Sequence, residues 1–148
     1  MDAVPADEAM TRFIRETMPL CDTLSIRCTR HEPDSTTLEL DWAPELCTAA
    51  GMLHGGVVMA LADSAGGACA FANLPAGATG TSTIESKTNF LGAVREGVVS
   101  ATARPLHVGG STIVVETEVH HDERLVAKTT QTQAVLRQRH PITSCVEL

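Results

Sequence analysis

The segment from Met52 to Phe71, MLHGGVVMALADSAGGACAF, is the feature that most limits what this chain can fold into. Small apolar residues follow a pair of glycines almost without interruption, and they predict a helix over about residues 56–73 that is apolar on every side. Because such a helix must be covered by other elements, we expect it to be the core helix of the fold. One carboxylate, Asp63, interrupts the run, although ionising a carboxylate among apolar neighbours is costly.

Two kinds of pattern precede this helix. A short helix capped by Asp7 and ended by Pro19 is predicted within residues 1–20. Leu24–Thr29 and Thr36–Trp42 then have the composition of short strands, and the turn-like HEPDS separates them. Ala43–Leu53 is predicted to be a loop that leads into the long helix.

From Thr81 onward the residue pattern repeats every two positions, which is typical of strands. Strict alternation in the first of these strands places Thr83 on the opposite face from Ile84 and Phe90. The order of elements predicts an α+β fold class: one long central helix wrapped by a curved antiparallel sheet of about five to six strands, in a single domain over residues 1–148 with a tail at 137–148. The four strand segments after the helix are TSTIESKTNF, VREGVVSATARPL, STIVVETEVHH and LVAKTTQTQAVL, with turn-like VGG and HDER between the last three.

Composition excludes several classes of function. Aromatic residues make up only 3% of the chain and the formal net charge is −7, so neither base stacking nor phosphate binding by a basic stripe is expected, and nucleic acid is not a predicted partner. The N-terminus has no secretory pattern, and the apolar stretch Val57–Ala72 is interrupted and short for a bilayer span. Five cysteines without a CxxC pair favour reduced thiols. We therefore expect a soluble cytoplasmic protein without membrane contact.

The HGG sequence at His54, Gly55 and Gly56 gives Asp63 a possible role. Taken alone, Asp63 with Ser64 fits a helix cap or an internal hydrogen bond equally well. Glycines at a helix start, however, let a ligand approach the unpaired amides there, and these amides favour developing negative charge. Nine residues separate His54 from Asp63, which is about 13 Å of helix rise, so one chain cannot bring both features to one bond. If they cooperate, a two-fold related second chain must supply one of them.

Other catalytic patterns are weak. Ser64 lies in DSAGG without a GxSxG elbow, and the adjacent His120 and His121 point in different directions, which does not suit a metal pair. There is no GxGxxG and no P-loop in the sequence. We expect no metal and no cofactor.

The chain resembles the hotdog-fold acyl-CoA thioesterases, specifically the PaaI-like group related to 4-hydroxybenzoyl-CoA thioesterases. The resemblance covers roughly residues 36–136, and the spacing of the histidine and the aspartate is its most specific part. It is carried by GMLHGG at Gly51–Gly56, LAD at Leu61–Asp63, the strand TSTIESKTNF, and the later VGGST and LVAKTT.

The resemblance implies a role for each matching residue. Asp63 is the catalytic carboxylate, acting as nucleophile on the thioester carbonyl or as general base for water. Gly55, with Gly56 beside it, supplies the amides that polarise this carbonyl, and His54 shapes the turn. Thr83 falls where related enzymes place a hydroxyl near the carboxylate and the water.

Further positions match less closely. Thr48 stands where many relatives carry Asn or Gln to position water or substrate, and its shorter hydroxyl is expected to take over part of that role. Val108, Gly109, Gly110 and Ser111 match the region that contacts the coenzyme A arm of the substrate. Arg95, Arg104 and Lys87 are candidates for its phosphates, although solvated surface charge explains them equally well.

The resemblance implies an acyl-CoA thioesterase that works as a homo-oligomer, either a dimer or a dimer of dimers, that is, a homotetramer. The alternative from a different class is a hotdog protein that binds acyl-CoA without hydrolysing it, but such a protein has no need of the carboxylate. A hydratase of the same fold is disfavoured because no D-x-x-x-x-H pair occurs.

Overall fold

A computed structural model describes residues 4–138 of the chain, so the C-terminal residues of the predicted tail and Cys145 lie outside the described residues. The described part contains one antiparallel sheet of six strands in the order β1-β2-β4-β5-β6-β3. The predicted α+β fold class, with one long helix against a curved antiparallel sheet, is confirmed. The strands are β1 (Arg27–Glu32), β2 (Ser35–Asp41), β3 (Gly80–Phe90), β4 (Val98–Val108), β5 (Thr112–His121) and β6 (Arg124–Leu136).

The N-terminal segment forms two helices where the sequence predicted one. α1 (Glu8–Thr17) begins at the predicted cap, since the carboxylate of Asp7 accepts a hydrogen bond from the amide of Met10 at 2.9 Å. Pro19 then starts α2 (Pro19–Thr23), because proline is well tolerated in the first turn of a helix. Ile14 is 2% exposed and holds α1 against the core.

The long helix is α3 (Gly55–Ala72), within one residue of its predicted bounds. It contacts all six strands. Alanines at positions such as Ala62 and Ala65 are fully buried, so the helix can lie close to the sheet. Length and composition alone would allow α3 to cross a membrane, but half of it is buried within the fold, as expected of a core helix.

The prediction that α3 is covered on every side is wrong in the single chain. Met59 and Phe71 are 40% and 44% exposed, and Asp63 between them is exposed too. These residues share one stripe of the helix, because positions three to four apart lie on the same face. The sheet covers only the opposite face.

An irregularity in β3 corrects the predicted orientation of its side chains. Thr83 pairs with Gln133 while Glu85 pairs with Thr132, so Ile84 is one extra residue in β3. Directly opposed residues of two strands share a face, and Gln133 faces the core. The bulge therefore places Thr83 on the helix side, together with Phe90, and strict alternation gave the wrong face for Thr83.

Candidate active site

Asp63 lies at the edge of a cavity of about 360 Å³ between α1, α3 and β3. The sequence suggested a buried carboxylate, but Asp63 is exposed in the single chain because it belongs to the uncovered stripe of α3. Its carboxylate is nonetheless ordered by hydrogen bonds from the sheet. The side chain combines access from outside with a fixed orientation.

Two donors converge on one oxygen of Asp63. The hydroxyl of Thr83 donates to Oδ1 at 2.9 Å, and Nε2 of Gln131 donates to the same oxygen at 3.1 Å. The predicted pairing of Asp63 with a β3 hydroxyl is therefore present in the structure. It depends on the bulge at Ile84, which turns Thr83 toward α3.

Gln133 extends this series of hydrogen bonds. Its Nε2 lies 2.6 Å from Oγ1 of Thr83 and donates to it. Gln131 and Gln133 are 0% and 1% exposed, and sequence reasoning did not single them out. The sequence did contain an indication that they are buried. In LVAKTTQTQAVL every second residue lies on one face of the strand, and Gln131 and Gln133 share that face with the buried Ala127 and Thr129.

The rest of the cavity near Asp63 is mostly apolar. Phe13 from α1 and Phe71 from α3 both line it, with their ring centroids 6.2 Å apart. Gly67, one helical turn beyond Asp63, also lines it, and a Cβ added there would meet nothing within 4 Å. The cavity can therefore hold an apolar group beside the carboxylate.

His31 of β1 is a second titratable group that lines this cavity. Its Nδ1 lies 3.2 Å from the hydroxyl of Thr36. Burial lowers the pKa of His31 below its usual value, and the nearby Glu32 opposes this effect. The imidazole is thus held mainly in its neutral form at pH 7, and sequence reasoning did not select it.

The start of α3 forms the other half of the predicted site. His54 caps the helix, with Nδ1 accepting a hydrogen bond from the amide of Gly56 at 2.8 Å. The amides of Val57 and Val58 donate to the carbonyl of His54. Among the hydrogen bonds of residues 4–138, none uses the Gly55 amide. That amide is the donor available for a ligand, whereas the Gly56 amide is engaged in the cap.

Gly55 and Thr48 line a second cavity of about 330 Å³, separate from the first. The loop that carries Thr48 is held at its base, because the Thr48 amide donates to the carbonyl of Met52 at 2.7 Å. Ala50 has a φ of 59°, an uncommon value for a residue other than glycine. Arg95 donates to the carbonyl of Ala50, so this candidate for phosphate binding also fixes the loop.

Asp63 and Gly55 do not meet in the single chain. Eight residues of α3 separate them, about 12 Å of rise, and they line different cavities. A larger groove of about 670 Å³ runs along α1 and α2, and none of the predicted site residues lines it.

The other predicted positions lie away from both cavities. Val108 is the last residue of β4, and residues 109–111 form the turn to β5, where the amide of Gly109 donates to the carbonyl of Thr112. Lys87 on β3 and Arg104 on β4 are exposed. Over residues 4–138 there is no group of three or more His, Cys, Asp or Glu side chains that could hold a metal ion.

Known proteins share both the sequence pattern and the fold of this chain. An esterase candidate of Mycobacterium tuberculosis is 35% identical over 95 residues, which are 63% of this chain and 68% of that protein. Its solved structure superposes with a TM-score of 0.79 at 29% identity, covering 83% of this chain and 100% of that one. A thioesterase of Haemophilus influenzae shares the fold, with a TM-score of 0.81 at 22% identity over 95% of this chain and 96% of that one. The family model of the thioesterase superfamily matches residues 50–128, and the chain belongs to that superfamily.

Proposed function

We propose that this protein is a PaaI-like acyl-CoA thioesterase that hydrolyses an apolar acyl- or aryl-CoA to the free acid and coenzyme A. The observation that carries the proposal is the carboxylate of Asp63, held by Thr83 and Gln131 at the mouth of an apolar cavity. Membership of the thioesterase superfamily supports hydrolysis of a thioester. The cavity accommodates the acyl group, and the described thiols are free, which is consistent with a reducing cytoplasm.

The chemistry requires a polarised carbonyl and an oxygen poised to attack it. The Gly55 amide donates to the thioester oxygen. As a general base, Asp63 takes a proton from water while the water oxygen attacks the carbonyl carbon, the C–S bond breaks, and the thiolate leaves and is protonated. As a nucleophile, the Asp63 carboxylate attacks the carbonyl carbon, the C–S bond breaks, and the coenzyme A thiolate leaves and is protonated by solvent. Water then hydrolyses the acyl anhydride to the free acid and restores the Asp63 carboxylate. Both routes use the same two groups.

The open edge of the sheet supports a dimer that brings these groups together. β3 is an 11-residue edge strand with only β6 beside it among the described strands. Such an edge is a template for pairing with another strand. Apolar side chains around it are exposed in the single chain: Met59, Ile84, Phe90 and Leu91, at 40%, 64%, 53% and 58%.

The direction of β3 supports a site shared between two chains. Its Thr83 end contacts Asp63, and its Phe90 end lies against Gly55, where a Cβ would come within 3.1 Å of the Phe90 ring. Antiparallel pairing about a two-fold axis exchanges these ends. Asp63 then faces the partner subunit's Gly55, and one dimer carries two sites. A dimer of dimers would repeat this unit.

The coenzyme A part is proposed to lie outside the cavity. Arg95, on the side of the molecule that carries Thr48 and Gly55, and the Val108–Ser111 turn are the candidates to contact it. A guanidinium has five donors, so Arg95 can bind the Ala50 carbonyl and a phosphate together.

The primary test is hydrolysis by the wild type and an Asp63→Asn variant. Thiol release is followed with short, medium, long and aryl acyl-CoA thioesters. We expect at least one to be hydrolysed and Asp63→Asn to lose about 100-fold or more in kcat. Asp122→Asn, at the exposed turn before β6, is the matched control and should match the wild type. Binding of acyl-CoA without thiol release would instead favour the non-catalytic alternative.

A mixing experiment tests the shared site. Gly55→Pro removes the free amide at the first position of α3, where proline is tolerated, and the extended backbone of His54 (φ −62°, ψ 132°) suits a following proline. Gly55→Ala keeps the amide and is the control. We expect a loss of about 100- to 1,000-fold for Gly55→Pro.

Each variant alone is then inactive, but a mixed dimer of Gly55→Pro and Asp63→Asn chains keeps one intact site. Random reassociation of equal amounts should restore about a quarter of the wild-type activity, since half of the dimers are mixed and each has one of two sites. A mixture that stays inactive after verified subunit exchange would mean that Asp63 of one chain and Gly55 of the other do not form one site, and would contradict the proposal.

A further inference from the structure

Two glutamines on the core face of β6 are an unexpected feature of this fold. Gln131 and Gln133 are 0% and 1% exposed, in a layer otherwise filled by Ala127, Thr129 and the apolar residues of α3. A buried amide is costly unless its polar atoms are bonded, and an aliphatic side chain would fill the same space. Both amides instead point toward the proposed reacting carboxylate.

We propose that Gln131 and Gln133 are positioning residues that hold Oδ1 of Asp63 and leave Oδ2 as the reacting oxygen. This inference rests on the proposed thioesterase function. Oδ1 accepts hydrogen bonds from Thr83 and Gln131, whereas no described residue donates to Oδ2. The rotation of the carboxylate is therefore fixed. Oδ1 is hydrogen-bonded to the sheet, and Oδ2 is left to react with the substrate.

Gln133 fixes the direction of the Thr83 hydroxyl. A hydroxyl has one proton and two acceptor positions. Because Nε2 of Gln133 donates to Oγ1 of Thr83, the Thr83 proton is directed to the other contact, Oδ1 of Asp63. Gln133 acts on the carboxylate through Thr83, and Gln131 acts on it directly.

The surroundings of Gln131 are adapted to this position at a cost in stability. A Cβ added to Gly66 would lie 2.2 Å from Oε1 of Gln131, so a larger residue there would displace the amide from its present position. Oε1 is buried and has no hydrogen-bond partner within residues 4–138. If Oε1 and Nε2 of Gln131 were exchanged, Oε1 would face Oδ1 of Asp63, and both atoms are hydrogen-bond acceptors. The unpaired oxygen lowers stability, whereas the other end of the same amide donates to Oδ1 of Asp63.

Removal of the Gln131 amide should therefore lower activity without lowering stability. Gln131→Met keeps the shape of the side chain and removes the amide. We expect kcat for the best thioester to fall roughly 10- to 100-fold, the loss typical of a hydrogen bond to a charged group, with KM within threefold of the wild type. Tm should rise or stay the same, because the unpaired oxygen is gone. Gln131→Leu repeats the test with a second apolar side chain.

A double-mutant cycle tests the indirect role of Gln133. Gln133→Met should lower kcat in the wild type but have little further effect in a Thr83→Val background, because Gln133 acts only through that hydroxyl. Thr117→Val is the matched control. Thr117 is fully buried in the same sheet, its hydroxyl has no partner within residues 4–138, and the variant should keep the wild-type kcat.

The experiments distinguish failure of the positioning role from failure of the proposed thioesterase function. Wild-type hydrolysis that depends on Asp63, combined with an unchanged kcat in folded Gln131→Met, would overturn the positioning role alone. A lower Tm with kcat unchanged per folded molecule, or failure of both Gln131 variants to fold, would make Gln131 structural and overturn it as well. No hydrolysis of any thioester by the wild type would overturn both proposals.

Discussion

Replacing Thr83 with valine removes one hydroxyl from the centre of the proposed site while keeping the shape of the side chain. The lost donor lies 2.9 Å from Oδ1 of Asp63. A hydrogen bond to a charged group contributes about 1.5–3 kcal/mol. Both residues are exposed in the single chain, so we use the lower part of that range, about 1.5–2 kcal/mol. This corresponds to a loss of roughly 10- to 30-fold in kcat.

The same substitution leaves a buried donor without its acceptor. Nε2 of Gln133 lies 2.6 Å from the Thr83 hydroxyl, and Gln133 is 1% exposed. An unpaired buried donor costs about 1–3 kcal/mol of unfolding free energy. We therefore expect Tm to fall by several degrees. Thr83→Val should thus lower activity and stability together, unlike the variants of Gln131.

The assay compares Thr83→Val with Thr83→Ser, using thiol release for kcat and thermal unfolding for Tm. Serine keeps the hydroxyl, so Thr83→Ser should stay within about threefold of the wild-type kcat. If valine and serine had equal rates and equal Tm values, the hydroxyl would have no part in orienting Asp63. Gln133 could then not act on the Asp63 carboxylate through this hydroxyl either.

Three further predictions concern the cavity, pH and the thiols. Gly67→Val should fill the open space beside Asp63, so kcat/KM falls about fourfold for each excluded methylene of a long acyl group while acetyl-CoA changes little. Burial lowers the pKa of His31 in the folded state below its usual 6.5, so the unfolded chain binds more protons at mildly acidic pH. The contribution of neutral His31 to stability is therefore complete above pH 6.5 and declines as the pH falls toward the folded-state pKa. On acidification, the Tm of His31→Gln should fall less than the Tm of the wild type. Burial raises the pKa of the Cys28 and Cys69 thiols to about 11, so in native protein at pH 8 iodoacetamide should modify the partly exposed Cys47 well before either of them, as mass spectrometry can show.

The regular elements were predictable because each has one dominant periodicity. The bounds of α3 differ from the predicted 56–73 by one residue at each end, since the glycines of HGG and the loop after Ala72 delimit a continuous apolar run. β5 shows the alternation of buried and partly buried residues that its sequence predicts. β1 is less regular: it was predicted at residues 24–29 but begins at Arg27, because α2 extends to Thr23.

The polar contacts of the site were harder to predict because they depend on register. Nothing in TSTIESKTNF shows that Ile84 is an extra residue, and strict alternation therefore turned Thr83 away from α3. The partnership of Gln131 with Asp63 joins residues 68 positions apart, which no local pattern encodes. The sequence did contain the nine-residue spacing of His54 and Asp63. On a helix this spacing already separates the carboxylate from the amides at the start of α3.

That separation gives the exposed stripe of α3 a physical reason. A single chain buries one face of α3 under its own sheet and leaves the face that carries Met59 and Asp63 open. Complete burial of Asp63 would remove it from substrate, whereas full exposure would let water compete for every hydrogen bond that orients it. In the proposed dimer the partner subunit's Gly55 approaches Asp63 across the β3 edge and the acyl cavity remains open between α1 and α3. The aspartate is then shielded from bulk water except where substrate enters, and a carboxylate and one amide can act there on the same thioester.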